Sequence, residues 1–455
     1  MQDLQQLAQE VVASAVRHGA TAADCILREG SEFTATVRCG EVEKLKEAGA
    51  KAIGLRVFVG SRVASTYSSD FSSAGMERLV SSALAAARVT SEDPYAGLPE
   101  DEQLGQLPGD LQLFCEDVTR LEAPALIDAA RRTEQAAFAV DARIQNSEGA
   151  TCDASYGRKI LATSAGFVGQ YRRSSCSLSV VPIAVPQAGD EAGGRGMQQD
   201  YWYTVARSFA ALESPEQVGR IAAERALRRL GARKAATVRV PVVFDQRTAG
   251  SLLGSLFDAL SGDSVYRQAS FLAGKLGEKI ASDAVTLMDD GTLPGGFGSA
   301  PFDDEGVKTR CTTVIERGVL KSYLLNSYAA RKLGLATTGN ASRGVAGNPG
   351  VGPHNFFLQP GAASPEGILR SVRTGFYVTD FMGFGVNTVT GDVSLGAAGL
   401  WIDSGELAYP VEEVTVAGNL LEMLQGIQAV GSDLEFRGSI ASPTLLVGEM
   451  TVAGQ

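Results

Sequence analysis

The sequence predicts an α+β fold: an N-terminal half mixing helices with antiparallel sheets, then a β-rich, glycine-rich C-terminal domain with a few helices. Three observations carry this expectation. The run Glu32-Phe33-Thr34-Ala35-Thr36-Val37-Arg38 alternates apolar and polar residues, the period of a half-buried strand. Met76, Leu79, Val80, Ala83, Leu84 and Ala87 recur near the helical period and would bury one face. The 52 glycines exceed the average share of roughly 7% and crowd into the second half, which calls for many tight turns.

Taken in order, residues 2–18 read as an amphipathic helix stopped by Gly19. Strand-like runs follow at Asp24 to Arg28, Glu32 to Arg38 and Ile53 to Val59, the last turning through Gly60-Ser61 into Arg62 to Tyr67 as a hairpin. A helix is expected from about Ser72 to Val89, then a linker from Ser91 to Gln106 carrying Pro94, Gly97 and Pro99. A second helix from about Ala123 to Phe138 leads into strand-rich sequence between Ala142 and Val185, and Gly189 to Gly196 reads as a polar loop. Ser214 can cap the next helix, with Pro215 at its first position, Gln217 completing a capping box and Gly231 following the last turn. The main domain boundary is placed around residues 232–236. The expected units are 1–110, 111–233 and 234–455. In the last, Val238 to Asp245 is a strand feeding a helix from about Thr248, closed by Gly262. Val314 to Leu320 and Leu400 to Leu407 read as hairpins.

Composition narrows the function. A hydrophobic share of 44% against 20% charged residues belongs to an ordinary globular chain rather than a disordered one. The net charge of −11 argues against nucleic acid as a partner. The basic group Arg225, Arg228, Arg229, Arg233 and Lys234 reads as a solvated helix end complementing the helix dipole. Six cysteines without a Cys-x-x-Cys pair fit reduced thiols in a cytoplasmic protein. No apolar run is long enough to cross a membrane, and the opening residues lack the basic and apolar regions of a signal peptide.

Chemistry is limited by a shortage of bases. A zinc hydrolase site needs converging imidazoles or thiolates, an open coordination position and a base beside the bound water. The chain has only two histidines, His18 and His354, and neither has a second histidine or a carboxylate at helical ligand spacing. Both read as structural. Asp303-Asp304-Glu305 lacks the spacing of a calcium loop and reads as a solvated, interface-forming loop, while Asp289-Asp290-Gly291 reads as a turn. Gly339 to Gly352 has no Gly-Lys-Ser/Thr and reads as a loop near a binding cleft. Ser251 and Ser255 are conceivable nucleophiles, but Gly-x-Ser-x-Gly is absent. Phe376 to Phe381 and Val393 to Leu395 are glycine-flanked strands, read either as edges that accept a peptide or as core strands.

Several blocks then resemble one family. They are Ser264-Val265-Tyr266-Arg267, Pro301 to Val307, Asn326 to Gly334, Thr338-Gly339-Asn340, Gly391 to Gly399 and Val416 to Leu420. Together with the strand and helix from Val238 to Asp263, they resemble the TldD/TldE (PmbA) family of two-subunit metalloproteases, and Glu449 to Gln455 matches the TldE/PmbA branch. In the active TldD subunit this helix carries His-Glu-x-x-x-His, two zinc ligands and a general base. The corresponding positions here are Gly254, Ser255 and Ala259, and the family's C-terminal cysteine ligand falls near Ser442, within a one-residue slip. The resemblance implies no catalytic residue, no metal ligand and no cofactor in this chain, with zinc only in a TldD-type partner. It implies a cytoplasmic heterodimer enclosing a chamber for flexible peptides, such as antibiotic precursors or a labile antitoxin. The alternative is a homodimeric peptide-binding or regulatory protein, under the label modulator of DNA gyrase.

Overall fold

The computed structural model describes residues 3–187, 196–383 and 385–454. Apart from Gly196, the loop read at Gly189 to Gly196 lies outside the described residues, as does Gln455. The α+β expectation holds.

Helix α1 (Leu4–Arg17) starts at Asp3, whose carboxylate accepts the Gln5 N–H at 3.0 Å. Strands β1 (Ala22–Arg38), β2 (Glu41–Val59) and β3 (Arg62–Ser68) form a meander. Val59 pairs with Arg62 across Gly60-Ser61, the hairpin turn read from the sequence. Helix α2 (Ser73–Val89) is capped by the Ser72 hydroxyl, which accepts the Gly75 N–H at 3.1 Å. It packs with α1 over Cys25, Leu27, Ile53, Leu55 and Val57.

Helix α3 (Ala123–Phe138) coincides with its predicted span and is followed by β4 (Ile144–Thr163) and β5 (Val168–Ala184). The short β6 (Gln198–Gln199) and β7 (Trp202–Ala206) then pair with β5, and α4 (Pro215–Leu227) is capped by Ser214. All seven strands form one sheet in the order β3-β2-β1-β4-β5-β6, with β7 also on β5. Strand β1 is long enough to serve both helix pairs. Its residues Cys25 and Leu27 lie under α1 and α2, and Ala35 and Val37 lie under α3 and α4.

In the C-terminal half, β8 (Val238–Phe244) feeds α5 (Gln246–Leu260) and the short α6 (Gly262–Tyr266). Helix α5 therefore stops at Leu260, and Gly262 opens α6 instead of closing α5. A Cβ at Gly262 would sit 2.5 Å from Leu325 Cδ2, so close packing explains the glycine. Strands β9 (Leu287–Asp290), β10 (Cys311–Glu316) and β11 (Val319–Leu320) follow, the last two forming the expected hairpin through Arg317-Gly318. Next come α7 (Ser327–Leu333), β12 (Ala341–Ser342), β13 (Gly350–Val351), β14 (Asn355–Leu358) and α8 (Pro365–Ser371). The chain ends with β15 (Thr374–Met382), β16 (Asp392–Asp403), β17 (Glu406–Asn419), α9 (Leu420–Gln425), β18 (Ile427–Val430), β19 (Ile440–Ala441) and β20 (Leu445–Ala453). The second hairpin also forms, with Asp403 paired to Glu406.

The large sheet runs β17-β16-β15-β8-β20-β18, and β17 also pairs with β20, so the strands close into a ring. Leu252, Leu253, Leu256, Phe257 and Leu260 of α5 bury against Phe244, Phe376 and Val378. Phe376 to Val378 pairs with β8 on one side and β16 on the other. These are core strands, not an edge offered to a peptide.

The two halves meet through charge. Contrary to the expected solvated loop, Asp303, Asp304 and Glu305 are all buried. Asp304 binds Lys159 and Arg28, and Glu305 lies 3.7 Å from Arg56 and accepts the Ser327 N–H at 2.9 Å. Asp303 accepts the N–H groups of Glu305, Val307 and Ala341 at 2.9–3.0 Å. An apolar plug of Ile26, Leu161 and Phe302 lies beside them, and Gly169 leaves room for it, since a Cβ there would fall 2.5 Å from Phe302 Cε1. The Gly339 to Gly352 loop belongs to this junction. Its Arg343 is buried on Asp24, and Val345 O would be 1.5 Å from a Cβ at Gly54.

Candidate functional site

Helix α5 begins where β8 ends. Asp245 caps it, accepting the Thr248 N–H and hydroxyl, each at 2.9 Å. The face formed by Arg247, Gly250, Ser251 and Gly254 turns away from the core and lines a cleft of about 350 Å³. Tyr201, Trp202 and Tyr203 of the β7 region form the opposite wall, and Glu435, Arg437, Ile440, Ala441 and Ser442 complete it. Two glycines inside one helix each cost about 1 kcal/mol relative to alanine.

The walls are held by guanidinium groups. Arg247 stands 4.4 Å over the Tyr201 ring and donates to Thr379 O at 2.8 Å. Arg437 stands 4.4 Å over the Trp202 ring, within 2.8 Å of both Glu213 and Glu435, and donates to Tyr203 O. Arg225 packs its guanidinium 5.5 Å over the Trp202 ring and 3.3 Å from Asp200. Arg229 pairs with Asp380 at 3.2 Å. Arg225 is buried and Arg228 and Arg229 are half-buried. The solvated helix end expected for Arg225 to Lys234 is thus overturned for its first three arginines, because a carboxylate and aromatic wall from other elements covers them.

The four positions matched to the zinc motif separate in space. Gly254 and Ser442 face the same cleft. Ser255 is half-buried outside its lining, and Ala259 is fully buried with its carbonyl accepting the Ser270 hydroxyl at 2.6 Å. Ser442 is buried, and its hydroxyl donates to Pro443 O at 2.9 Å. The Ser251 hydroxyl donates to Arg247 O at 3.0 Å. These side chains supply a hydrogen, neutral hydroxyls and a methyl, so the donor set does not fit zinc.

The histidines lie elsewhere. His18 ends α1, its Nδ1 2.8 Å from Ser14 O. His354 is buried, with Nε2 2.7 Å from Gly339 O, and its N–H donates to Asp289 at 2.9 Å. Asp289 and Asp290 end strand β9, and the turn read there starts at Gly291, where Asp290 accepts the Thr292 N–H at 2.8 Å. Among the described residues, no three His, Cys, Asp or Glu side chains converge as a metal site. One turn beyond Gly254, the exposed Asp258 has its carboxyl raised by desolvation.

Sequence reasoning did not identify Tyr201, Tyr203, Arg247 or Arg437 as parts of this cleft. The one available signal was the aromatic run Tyr201-Trp202-Tyr203, which holds one of the chain's two tryptophans.

Helix α5 thus packs one face on the core of the C-terminal half and turns its glycine-bearing face toward the β7 region. Family profiles for PmbA/TldA metallopeptidase domain 1, the central domain and the C-terminal domain match residues 23–87, 116–230 and 237–454. The chain belongs to the PmbA/TldD metallopeptidase family. It is 40% identical over 433 residues to the metalloprotease PmbA of Escherichia coli O157:H7, covering 95% of this chain and 92% of that protein. It is 35% identical over 454 residues to a PmbA homolog of Haemophilus influenzae, covering 100% and 96%. A Bacteroides thetaiotaomicron crystal structure described as a modulator of DNA gyrase superposes with a TM-score of 0.91 at 27% identity, covering 100% of both chains.

Proposed function

We propose that this chain is the non-catalytic, TldE/PmbA-type subunit of a heterodimeric peptidase that processes unfolded peptides. The observation that carries the reading is the replacement of the metal-binding helix positions by Gly254, Ser255 and Ala259, with Ser442 engaged on Pro443 O. Fold and family alone do not fix activity, and the relatives' names as metalloproteases describe those proteins. In this reading the zinc and its base come from a TldD-type partner bearing His-Glu-x-x-x-His. This chain completes the chamber and shapes access to it. Peptide-antibiotic maturation and antitoxin turnover are the processes proposed for the pair.

A reducing cytoplasm suits the six cysteines, all of them free. No helix among the described residues is long and apolar enough to cross a membrane.

The test is to purify the chain alone and together with the histidine-bearing paralogue, then measure bound zinc and casein hydrolysis. The lone chain should hold no stoichiometric zinc and cleave nothing, and the pair should do both. Zinc with proteolysis by the lone chain overturns the proposal. A second reading, a homodimeric regulatory protein, draws on the gyrase-modulator description of the Bacteroides relative. A stable homodimer that ignores the paralogue in light scattering would favour it.

A further inference from the structure

A second cleft lies at the seam between the two halves and encloses about 330 Å³. Arg56 and Phe58 of β2 form one wall, and Asp263, Tyr266, Glu305 and Tyr328 of the C-terminal half form the other. Among the described residues, none lines both this seam and the cleft on α5. The stretch read as a linker closes one side of it. The Tyr328 hydroxyl donates to Asp93 at 2.7 Å, Arg331 donates to Tyr95 O at 2.6 Å, and Asp93 and Gly97 reach the seam. The blocks Ser264 to Arg267 and Asn326 to Gly334 each place residues in its wall, and the subunit role above gives them no task.

Hydrogen-bonding capacity in this seam is unused. Arg56 is 4% exposed, and Asp24 takes its Nε at 2.8 Å and its Nη2, which leaves Nη1 without a hydrogen bond among the described residues. Glu305 is 2% exposed. Its Oε2 accepts the Ser327 N–H at 2.9 Å, while Oε1 has Arg56 Nη2 at 3.7 Å, beyond hydrogen-bond reach. Asp263 accepts the Val351 N–H through Oδ2 at 3.2 Å and, among the described residues, no bond reaches its Oδ1. Burial raises the Asp263 carboxyl and nearby Glu305 adds to the rise, against the Val351 N–H and Arg267. A buried donor and buried acceptors left unpaired are costly, and a ligand carrying both signs of charge satisfies them together. Asp93, Asp263 and Glu305 do not converge as a metal site among the described residues, which favours an ammonium group over a bare cation. The Tyr266 and Tyr328 rings meet edge to face, 5.7 Å apart at 75°, and add an apolar surface.

We propose that this seam binds a free α-amino acid as its zwitterion. The ammonium lies between Asp263 and Glu305, the carboxylate meets Arg56, and an apolar or aromatic side chain rests on Tyr266 and Tyr328. The volume of about 330 Å³ sits at the lower end of the roughly 300–1,000 Å³ of ligand pockets, room for one amino acid and not for a length of polypeptide. Because both halves supply the wall, the bound amino acid ties them together and stabilises the folded chain by mass action. Binding here needs no metal, breaks no bond and does not depend on the subunit role proposed above.

The experiment is isothermal titration calorimetry of the full chain with L-phenylalanine and L-leucine in chelator-treated buffer, with thermal unfolding in parallel. One saturable site is expected, with a dissociation constant below about 1 mM and a Tm that rises as either amino acid is added. Phenethylamine lacks the carboxylate and N-acetyl-L-phenylalanine lacks the ammonium, so each should bind at least about tenfold more weakly. Asp263→Asn keeps an acceptor for the Val351 N–H and should weaken L-phenylalanine binding by about tenfold. Tyr266→Ala should weaken it by about threefold through loss of the ring surface. If Asp263→Asn lowers Tm without ligand, the two analogues decide. No saturable binding of either amino acid, equal affinity for either analogue, or unchanged affinity in a stably folded Asp263→Asn variant overturns the proposal.

Discussion

Asp24 of β1 and Arg343, 319 positions later in the chain, form an ion pair with both side chains sealed from solvent. The same carboxylate receives Arg56 Nε at 2.8 Å, so it sits between two guanidinium groups. Glu305, 3.7 Å from Arg56, supplies the second negative charge. The N- and C-terminal halves are therefore matched by charge at their junction, as well as by the fit of Phe302 against Gly169.

Removing that match should be costly. Asp24→Asn keeps the shape of the side chain but leaves two buried guanidinium groups facing a neutral amide. Breaking a buried pair from one side costs about 3–5 kcal/mol, because the remaining charge cannot return to water. Urea unfolding should show a loss of that order, with a lower midpoint. A loss below about 1 kcal/mol, the scale of an exposed pair, would show that solvent reaches the junction.

The same junction sets the acid limb of stability. Burial alone pushes the Asp24 carboxyl up, but Arg343 and Arg56 more than offset it and hold the group below its ordinary value. Burial likewise opposes Lys159 at Asp304, and the lysine with its neighbours again wins. With both folded-state values depressed, the unfolded chain takes up protons first as acid is added. The stabilisation is complete above the unfolded value near about 3.9 and is lost as pH falls below it through the folded values. Buried Asp303, whose carboxyl burial and Glu305 push up to about 8, works the other way above about pH 4, so the Asp24 contribution is read as a difference. The gap between the urea midpoints of the original chain and Asp24→Asn should hold from about pH 7 to 5 and close as pH falls below about 4. A gap between the two proteins that stays constant down to about pH 3 would contradict the assignment.

Elements with local grammar were readable from sequence. The Gly60-Ser61 turn, the helix start near Ser72 and the Ser214-Pro215 start each depend on residues close together in the chain. The fate of the charges was not readable. Asp303-Asp304-Glu305 and Arg225 to Arg229 look solvated as isolated runs, and they are covered because their partners arrive from elsewhere. Arg28 and Asp304, for example, are 276 positions apart. The cleft divides the same way. Gly254 and Ser442 could be singled out only through a family resemblance, and no local pattern announces that Tyr203 and Arg437, 234 positions apart, share its wall.

The separation of the motif positions makes a reversal of the zinc motif unequal in cost. A side chain at Gly254 enters the cleft, with Ile440 Cδ1 at 3.9 Å as its first neighbour. Ala259 has no exposed surface and sits in the core with Leu256, Leu260 and Val265. Gly254→His should fold with Tm close to that of the original chain, since it also removes a helix glycine. Ala259→His forces a larger ring into filled space, costing about 1–3 kcal/mol in overpacking, and buries ring nitrogens at further expense. Thermal unfolding of the two single variants by circular dichroism checks this ordering. Equal Tm values would mean that position 259 opens onto free space, and the core would then be no barrier to restoring the metal-binding helix.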